Sequence, residues 1–216
     1  MRPQQAPPLP AFLKISLTTP LHVFSLPPPR SPFDFVDGKR VFPEFAAAQA
    51  AGAFPMGQVP VLEVTKDGKT AKLAQSKAIA RYVAGVTGLL GATPELSADI
   101  DSVCELVGDI SKDSGDAKTE EDKAKFMAEG LPKKLATLEA LLGEGFAVGG
   151  KLSQADVFLY HLATHALGPS AFGPGNPPAQ EALKASPKVG AIIRAVAANN
   201  GVAAWEAARS SRGEAF

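Results

Sequence analysis

Gly57-Gln58-Val59-Pro60-Val61-Leu62-Glu63-Val64, followed by Gln75-Ser76 and Lys77-Ala78-Ile79-Ala80-Arg81-Tyr82-Val83, is the stretch whose reading decides the fold of this chain. Pro60 introduces a β-run rather than ending one. X-Pro bonds are the peptide bonds that adopt cis cheaply, so this placement marks a tight bend. A bend there leaves the N–H and C=O of Val59 outside the sheet ladder and free for an extended peptide. Val61 to Val64 is short, apolar and β-branched, as a buried strand should be. Thr65-Lys66-Asp67-Gly68-Lys69 supplies turn chemistry, and a second short strand is expected from about Thr70 to Ala74. Ser76 stands where a helix begins, because Ala78, Ile79, Tyr82 and Val83 recur at helical spacing. Its hydroxyl and the first free N–H groups converge on one point, and orphan donors at the positive end of a helix dipole favour a carboxylate or phosphate. The stretch reads as a binding site for a small anionic peptide.

These residues carry a family resemblance. Gly-Gln-Val-Pro-Val-Leu-Glu-Val and Gln-Ser-x-Ala-Ile-Ala-Arg-Tyr resemble the glutathione-binding half of a cytosolic glutathione S-transferase, closest to the sigma-like group. The resemblance covers roughly residue 35 to the end. It implies that Gly57, Gln58, Val59 and Pro60 pair with the cysteinyl part of glutathione and that Gln75 and Ser76 hold its γ-glutamyl carboxylate. It places Phe45 where the family usually has Trp, and Gln49 where it has a Lys that meets the glycine carboxylate. Losing that charge-assisted bond should weaken binding by about 1 to 3 kcal/mol. It also puts forward Asp101, on the first long helix, to reach across a dimer interface to the γ-glutamyl amine; a solvated helix acid is the other reading.

The family's first strand ends near a hydroxyl, a tyrosine in the sigma-like group, that donates to the glutathione sulfur and favours the nucleophilic thiolate. Here both tyrosines, Tyr82 and Tyr160, lie elsewhere. Phe12-Leu13-Lys14-Ile15-Ser16-Leu17 can form the first strand, with Ser16, Thr18 and Thr19 near its end. The family hydroxyl precedes the cis-proline by roughly forty to forty-five residues, which points to Ser16 as the catalytic substitute. Hydroxyls that merely sit in a strand or turn are the alternative. Residues 1–33 are atypical: they hold 9 of the 19 prolines and no acidic residue, and Pro27-Pro28-Pro29-Arg30-Ser31-Pro32 opposes the helix the fold needs next. A remodelled βα unit, a replaced exon or misassigned coding segment, or an acidic-poor organellar targeting peptide would each account for them.

Composition bounds the remaining readings. The chain has 216 residues, 22 basic and 22 acidic, and a mean hydropathy of +0.04. This balance gives no electrostatic footprint for nucleic acid or an anionic membrane, and no apolar run approaches the roughly 20 residues of a membrane span. The single cysteine, Cys104, cannot form an internal disulfide and reads as a small buried hydrophobe in a reducing, cytoplasmic setting. His161 and His165 are one helical turn apart, but two ligands are too few, and no metal is expected. His22 is isolated and uninformative.

Before about residue 90 the chain shows short β-runs and Gly/Pro turns, and after it the pattern is helical, with a boundary in Gly91-Ala92-Thr93-Pro94. From Ser97 an amphipathic helix carries Ile100, Val103, Cys104, Val107 and Ile110. The polar residues 111–125 read as a loop and a solvated helix start. Leu131, Leu135, Leu138, Leu141 and Leu142 mark another packed helix, ended by Gly143 or Gly145. Ser153-Gln154-Ala155-Asp156 is a capping box, so Asp156 is a folding element rather than a catalytic acid. Trp205 reads as a core anchor.

The expected architecture is an α/β thioredoxin-like N-terminal domain, residues 1–90, followed by an all-α C-terminal domain, residues 95–216. The resemblance implies a homodimer that conjugates glutathione, as co-substrate, to a hydrophobic electrophile held between the domains. The alternative is a non-catalytic binding or structural protein that keeps the fold without the activating hydroxyl.

Overall fold

A computed structural model describes residues 12–16, 34–36, 39–41, 49–52, 54–66, 69–167 and 176–211. Phe45, Thr18, Thr19, His22, the proline run at 27–32 and the Asp67-Gly68 turn lie outside the described residues. The chain divides into two compact units, Met1–Val83 and Ala84–Phe216. The division falls inside a helix, upstream of Gly91-Ala92-Thr93-Pro94.

In the first unit, β1 (Phe12–Ser16), β4 (Val61–Lys66) and β5 (Lys69–Ala74) form a three-stranded sheet in the order β1-β4-β5. β2 (Asp34–Val36) and β3 (Lys39–Val41) form a separate antiparallel pair. β4 and β5 are antiparallel, with Val61 opposite Ala74 and Glu63 opposite Lys72. The Glu63 and Lys72 side chains meet across the strands at 3.5 Å, a cross-strand charge pair that supports this register. β1 runs parallel to β4, pairing Phe12 with Val61 and Ser16 with Thr65. The helix α1 (Ser76–Thr87) follows β5 directly. Leu62 and Val64 are buried on the sheet and pack with Leu73, Ile79, Tyr82 and Val83. These positions alternate along β4 and recur at helical spacing along α1, so both periodicities meet in one small core.

Every regular element described after residue 87 is helical. α2 (Pro94–Asp116) starts on Thr93, whose hydroxyl accepts from the Leu96 N–H at 3.3 Å, with Pro94 in the first turn. That start is the pattern expected of an N-cap followed by Pro. Gly91 sits against this first turn, where a Cβ would lie 2.4 Å from the Ser97 nitrogen. No larger residue fits there without moving backbone. α2 extends through residues 111–116, part of the run expected to be a loop, although its buried stripe ends at Ile110; the last turns are half-buried or exposed and carry the Lys112–Asp116 pair.

Thr119 caps α3 (Glu120–Lys125), which continues through a π-helical turn (Phe126–Gly130) into α4 (Leu131–Leu141). Leu131, Leu135, Leu138 and Leu142 are buried, whereas Leu141 is 58% exposed. At about 100° per residue, Leu141 falls off the stripe that the other four share. α5 (Gln154–His161), a second π-helical turn (Leu162–Ala166), α6 (Pro177–Lys184), α7 (Pro187–Ala197) and α8 (Asn200–Ser211) complete the unit.

The core of this unit joins Ile100, Val103, Cys104, Val107 and Ile110 of α2 to Leu131, Leu135, Leu138, Leu159, Ile192 and Val196. Trp205, expected in the core, is 48% exposed on α8. α8 is a terminal helix rich in small residues, and the apolar side chain it sets against the core is Val202.

Candidate functional site

The pocket expected from Gly57 to Ser76 forms where β4 begins, β5 ends and α1 starts. Pairing Val61 with Ala74 brings Pro60 beside Gln75 and Ser76, although fourteen or more residues separate them in sequence. Met56, Gln58, Val59, Pro60, Ala74, Gln75 and Ser76 line a cavity of about 240 Å³. The Val59–Pro60 peptide is cis. Val59 is 41% exposed and stands ahead of the ladder; among the described residues its backbone groups have no hydrogen-bond partner. An extended ligand segment can therefore add its own N–H and C=O groups to Val59.

The opposite wall is the start of α1. The Ile79 N–H donates to the Gln75 carbonyl at 2.9 Å. The preceding N–H groups of the first turn have no acceptor within the helix. Gln75 has φ +74°, the one left-handed residue other than glycine among those described. A residue of that size in this region is uncommon, and the conformation is held by the elements on either side of it. Its side-chain amide donates to the Met56 sulfur at 3.5 Å, a weak contact that an anionic oxygen can displace. Ser76, the first residue of α1, is exposed at the cavity. A hydroxyl, helix-end N–H groups and an amide converge here, as binding of a carboxylate requires.

Gln49 does something the sequence did not disclose. Its amide nitrogen donates to the Gly57 carbonyl at 2.7 Å, while the Gly57 N–H donates to the carbonyl of buried Phe54 at 3.0 Å. With Gly57 at φ +66°, these two bonds fix the loop that presents Gln58 and Val59. A side chain at a helix end, eight residues from its acceptor across an irregular turn, leaves no periodic trace from which this bond could have been read.

The other expected positions that are described do not line the pocket. Ser16 pairs with Thr65, four residues along β4 from Val61, which is about 13 Å at strand rise. That register brings Phe12, not Ser16, to the Pro60 end of the strand. Asp101 is half-buried on α2 in the second unit. Asp156 is fully buried; its Oδ2 accepts from the Ser153 N–H at 2.7 Å and the Ser153 hydroxyl at 2.6 Å, and its Oδ1 from the Ala147 N–H at 2.6 Å. It is the structural cap that the Ser153-to-Asp156 spacing indicates. Cys104 is buried in α2. Among the described residues, no group of three or more His, Cys, Asp or Glu side chains is placed to hold a metal, and no helix is long and apolar enough to cross a membrane.

A small mixed sheet with a cavity where β4 begins and α1 starts, followed by an all-helical unit, is the architecture that comparison with known proteins places in a family context. Residues 105–209 match the family described as Glutathione S-transferase, C-terminal domain. The chain is 38% identical over 113 residues to Glutathione S-transferase S1 of Drosophila melanogaster, covering 48% of this chain and 44% of that protein. The chain thus spans about half the length of the relatives it matches. The structure is similar to a Pi-class glutathione S-transferase of Onchocerca volvulus, with a TM-score of 0.61, 22% identity and 83% of each chain covered. It is also similar to the monomeric Na-GST-3, a glutathione S-transferase of Necator americanus, with a TM-score of 0.57, 29% identity, and 77% of this chain and 80% of that one covered. These likenesses support the glutathione S-transferase family. The fold is that architecture, a thioredoxin-like N-terminal domain followed by an all-α domain.

Proposed function

We propose that this chain binds glutathione and conjugates it, through its thiolate sulfur, to hydrophobic electrophiles, as a sigma-like member of the family. The observation that carries the reading is the convergence of Val59, Pro60, Gln75 and Ser76 on one cavity. The γ-glutamyl carboxylate docks on Ser76 and the first turn of α1, with the Gln75 amide turned to it. The cysteinyl N–H and C=O pair with the Val59 backbone, and Gly57 and Gln58 border the glycyl end. Gln49 acts there through the loop, and Phe45 stands at the position where the family has its Trp.

In the reaction the thiol proton is lost to solvent, the thiolate sulfur forms the new C–S bond, and the electron pair leaves with the displaced group or moves onto an activated double bond. A hydroxyl donating to the sulfur lowers the thiol pKa and so raises the thiolate fraction at neutral pH. Ser16 is the hydroxyl that the resemblance puts forward, and its pairing with Thr65 weighs against it. Replacing Ser16 by Ala decides the matter. A fall in turnover with glutathione affinity retained assigns the role to Ser16, and unchanged turnover removes it.

Dimerisation through α2, with Asp101 reaching the γ-glutamyl amine of the partner's ligand, and a cytoplasmic setting complete the reading. Sedimentation of wild type and Asp101→Asn, with and without glutathione, tests the dimer. The function itself is tested by calorimetric titration with glutathione, followed by a conjugation assay on aromatic halides and α,β-unsaturated carbonyls. Absence of binding sinks the reading; binding without conjugation of any electrophile restricts it to a ligand-binding role.

A further inference from the structure

A second recess, of about 340 Å³, lies wholly within the helical unit, between the first half of α2, the end of α4 and the loop that connects α4 to α5. Its walls are mostly apolar, Leu96 and Val103 of α2, Leu141, and Val148 of the loop, with Ser102 also on the lining. Leu141 is the residue that the buried stripe of α4 leaves out, and its 58% exposure gives the recess an open apolar lip. One charged side chain lines it, Asp99. Among the described residues the Asp99 carboxylate has no hydrogen-bond or ion-pair partner. Some acids of the helical unit are paired, Asp113 with Lys134 and Asp116 with Lys112, whereas Asp99 is exposed at the recess with its carboxylate open to a ligand.

The recess is also held in shape. The Gly143 N–H donates to the Ala147 carbonyl at 2.9 Å, and the Ala147 N–H donates to the fully buried Asp156 carboxylate at 2.6 Å. Gly149, at φ +68°, passes the Leu96 side chain closely enough that a Cβ there would touch it at 3.8 Å. The loop wall is therefore anchored on the capping box rather than left to close over the space.

We propose that this recess is a binding site for a small amphipathic organic cation, an ammonium carried on an aryl or alkyl body. Its volume is at the lower end of the range for small-molecule sites. Apolar walls take the hydrocarbon body, and the unpaired carboxylate at the rim takes the cationic head without either charge leaving water entirely. The recess shares no lining residue with the glutathione pocket, whose described lining residues all belong to the first unit. It is equally distinct from Asp101. Two residues along a helix amount to about 200° of rotation, so Asp101 lies on the far side of α2 from Asp99.

The test is a titration of the full chain, followed by heteronuclear NMR, with three probes that share one body: 4-phenylbutylammonium, 4-phenylbutanol and 4-phenylbutyrate. The ammonium is expected to bind roughly fivefold more tightly than the alcohol, the value of one exposed ion pair, with shift changes at Val103, Leu141 and Val148. Carboxylate binding should be weakest. In Asp99→Asn the ammonium should fall to the affinity of the alcohol, and in Ser102→Leu, which places bulk in the recess, all three should weaken. Saturating glutathione should leave these affinities unchanged. Absence of ammonium binding, equal affinity for the three probes, an unchanged preference in Asp99→Asn, or competition by glutathione overturns the proposal.

Discussion

Ser76 and Gln49 separate two kinds of contribution to one pocket. In the proposed complex Ser76 offers its hydroxyl to the ligand carboxylate, and a hydrogen bond to a charged group is worth about 1.5 to 3 kcal/mol. Ser76→Ala is therefore expected to weaken glutathione binding by roughly ten- to a hundredfold in calorimetry, with the fold intact by circular dichroism. Gln49 donates to the Gly57 carbonyl at the loop rather than lining the cavity. Gln49→Ala is expected to loosen residues 56–59, visible as faster amide exchange there, and to weaken glutathione binding by less than Ser76→Ala. The sequence placed both residues at the site through family spacing. It could not show that Gln49 acts through the loop, because that depends on where an irregular segment passes.

At the scale of elements, two loop-to-helix joints carry the helical unit. Gly91 meets the first turn of α2 so closely that a methyl group would collide with the backbone of Leu96 and Ser97. Gly91→Ala should cost about 1 to 3 kcal/mol in urea denaturation, the usual cost of overpacking. At the same helix start, the hydrogen bonds from its backbone and Thr93 hold the Glu95 carboxyl below its ordinary pKa. The depressed value adds stability above the ordinary carboxylate range that is lost as pH falls through the lowered value. Thr93→Ala should remove about 1 kcal/mol of cap stability and move Glu95 back toward its ordinary titration, which NMR can follow. The α5 joint is tighter. Asp156→Ala would strand the N–H groups of Ala147 and Ser153 and the Ser153 hydroxyl in a buried site. It should destabilise the unit by about 3 to 5 kcal/mol. The Ser153–Asp156 joint is legible in sequence, since its box is a local pattern, whereas the helix expected from Ser97 begins at Pro94 on Thr93, and the closeness of Gly91 to it left no sequence signal.

For the whole molecule, the division into units predicts an uneven response to ligand. Glutathione at a hundred times its Kd should add about 2.7 kcal/mol to opening reactions that dissolve its site. Hydrogen exchange should therefore slow at β4, β5 and the start of α1 before it slows in α4 or α7. Uniform slowing throughout the chain would contradict a pocket confined to the first unit.

What the sequence by itself determined is whatever repeats or caps within a few residues: the strand at β4, the helix after Ser76, the buried stripe of α2 and the box at Ser153 and Asp156. Those features follow from backbone geometry and side-chain periodicity, which act locally. Tertiary structure alone decided the rest. It set Ser16 opposite Thr65, turned Leu141 and Trp205 outward, joined Gln49 to Gly57 and left Asp99 without a partner among the described residues, beside a recess lined by Leu96, Val103 and Leu141. Each of these depends on which surfaces meet across tens of residues, and burial, register and charge pairing are properties of that meeting rather than of the segment.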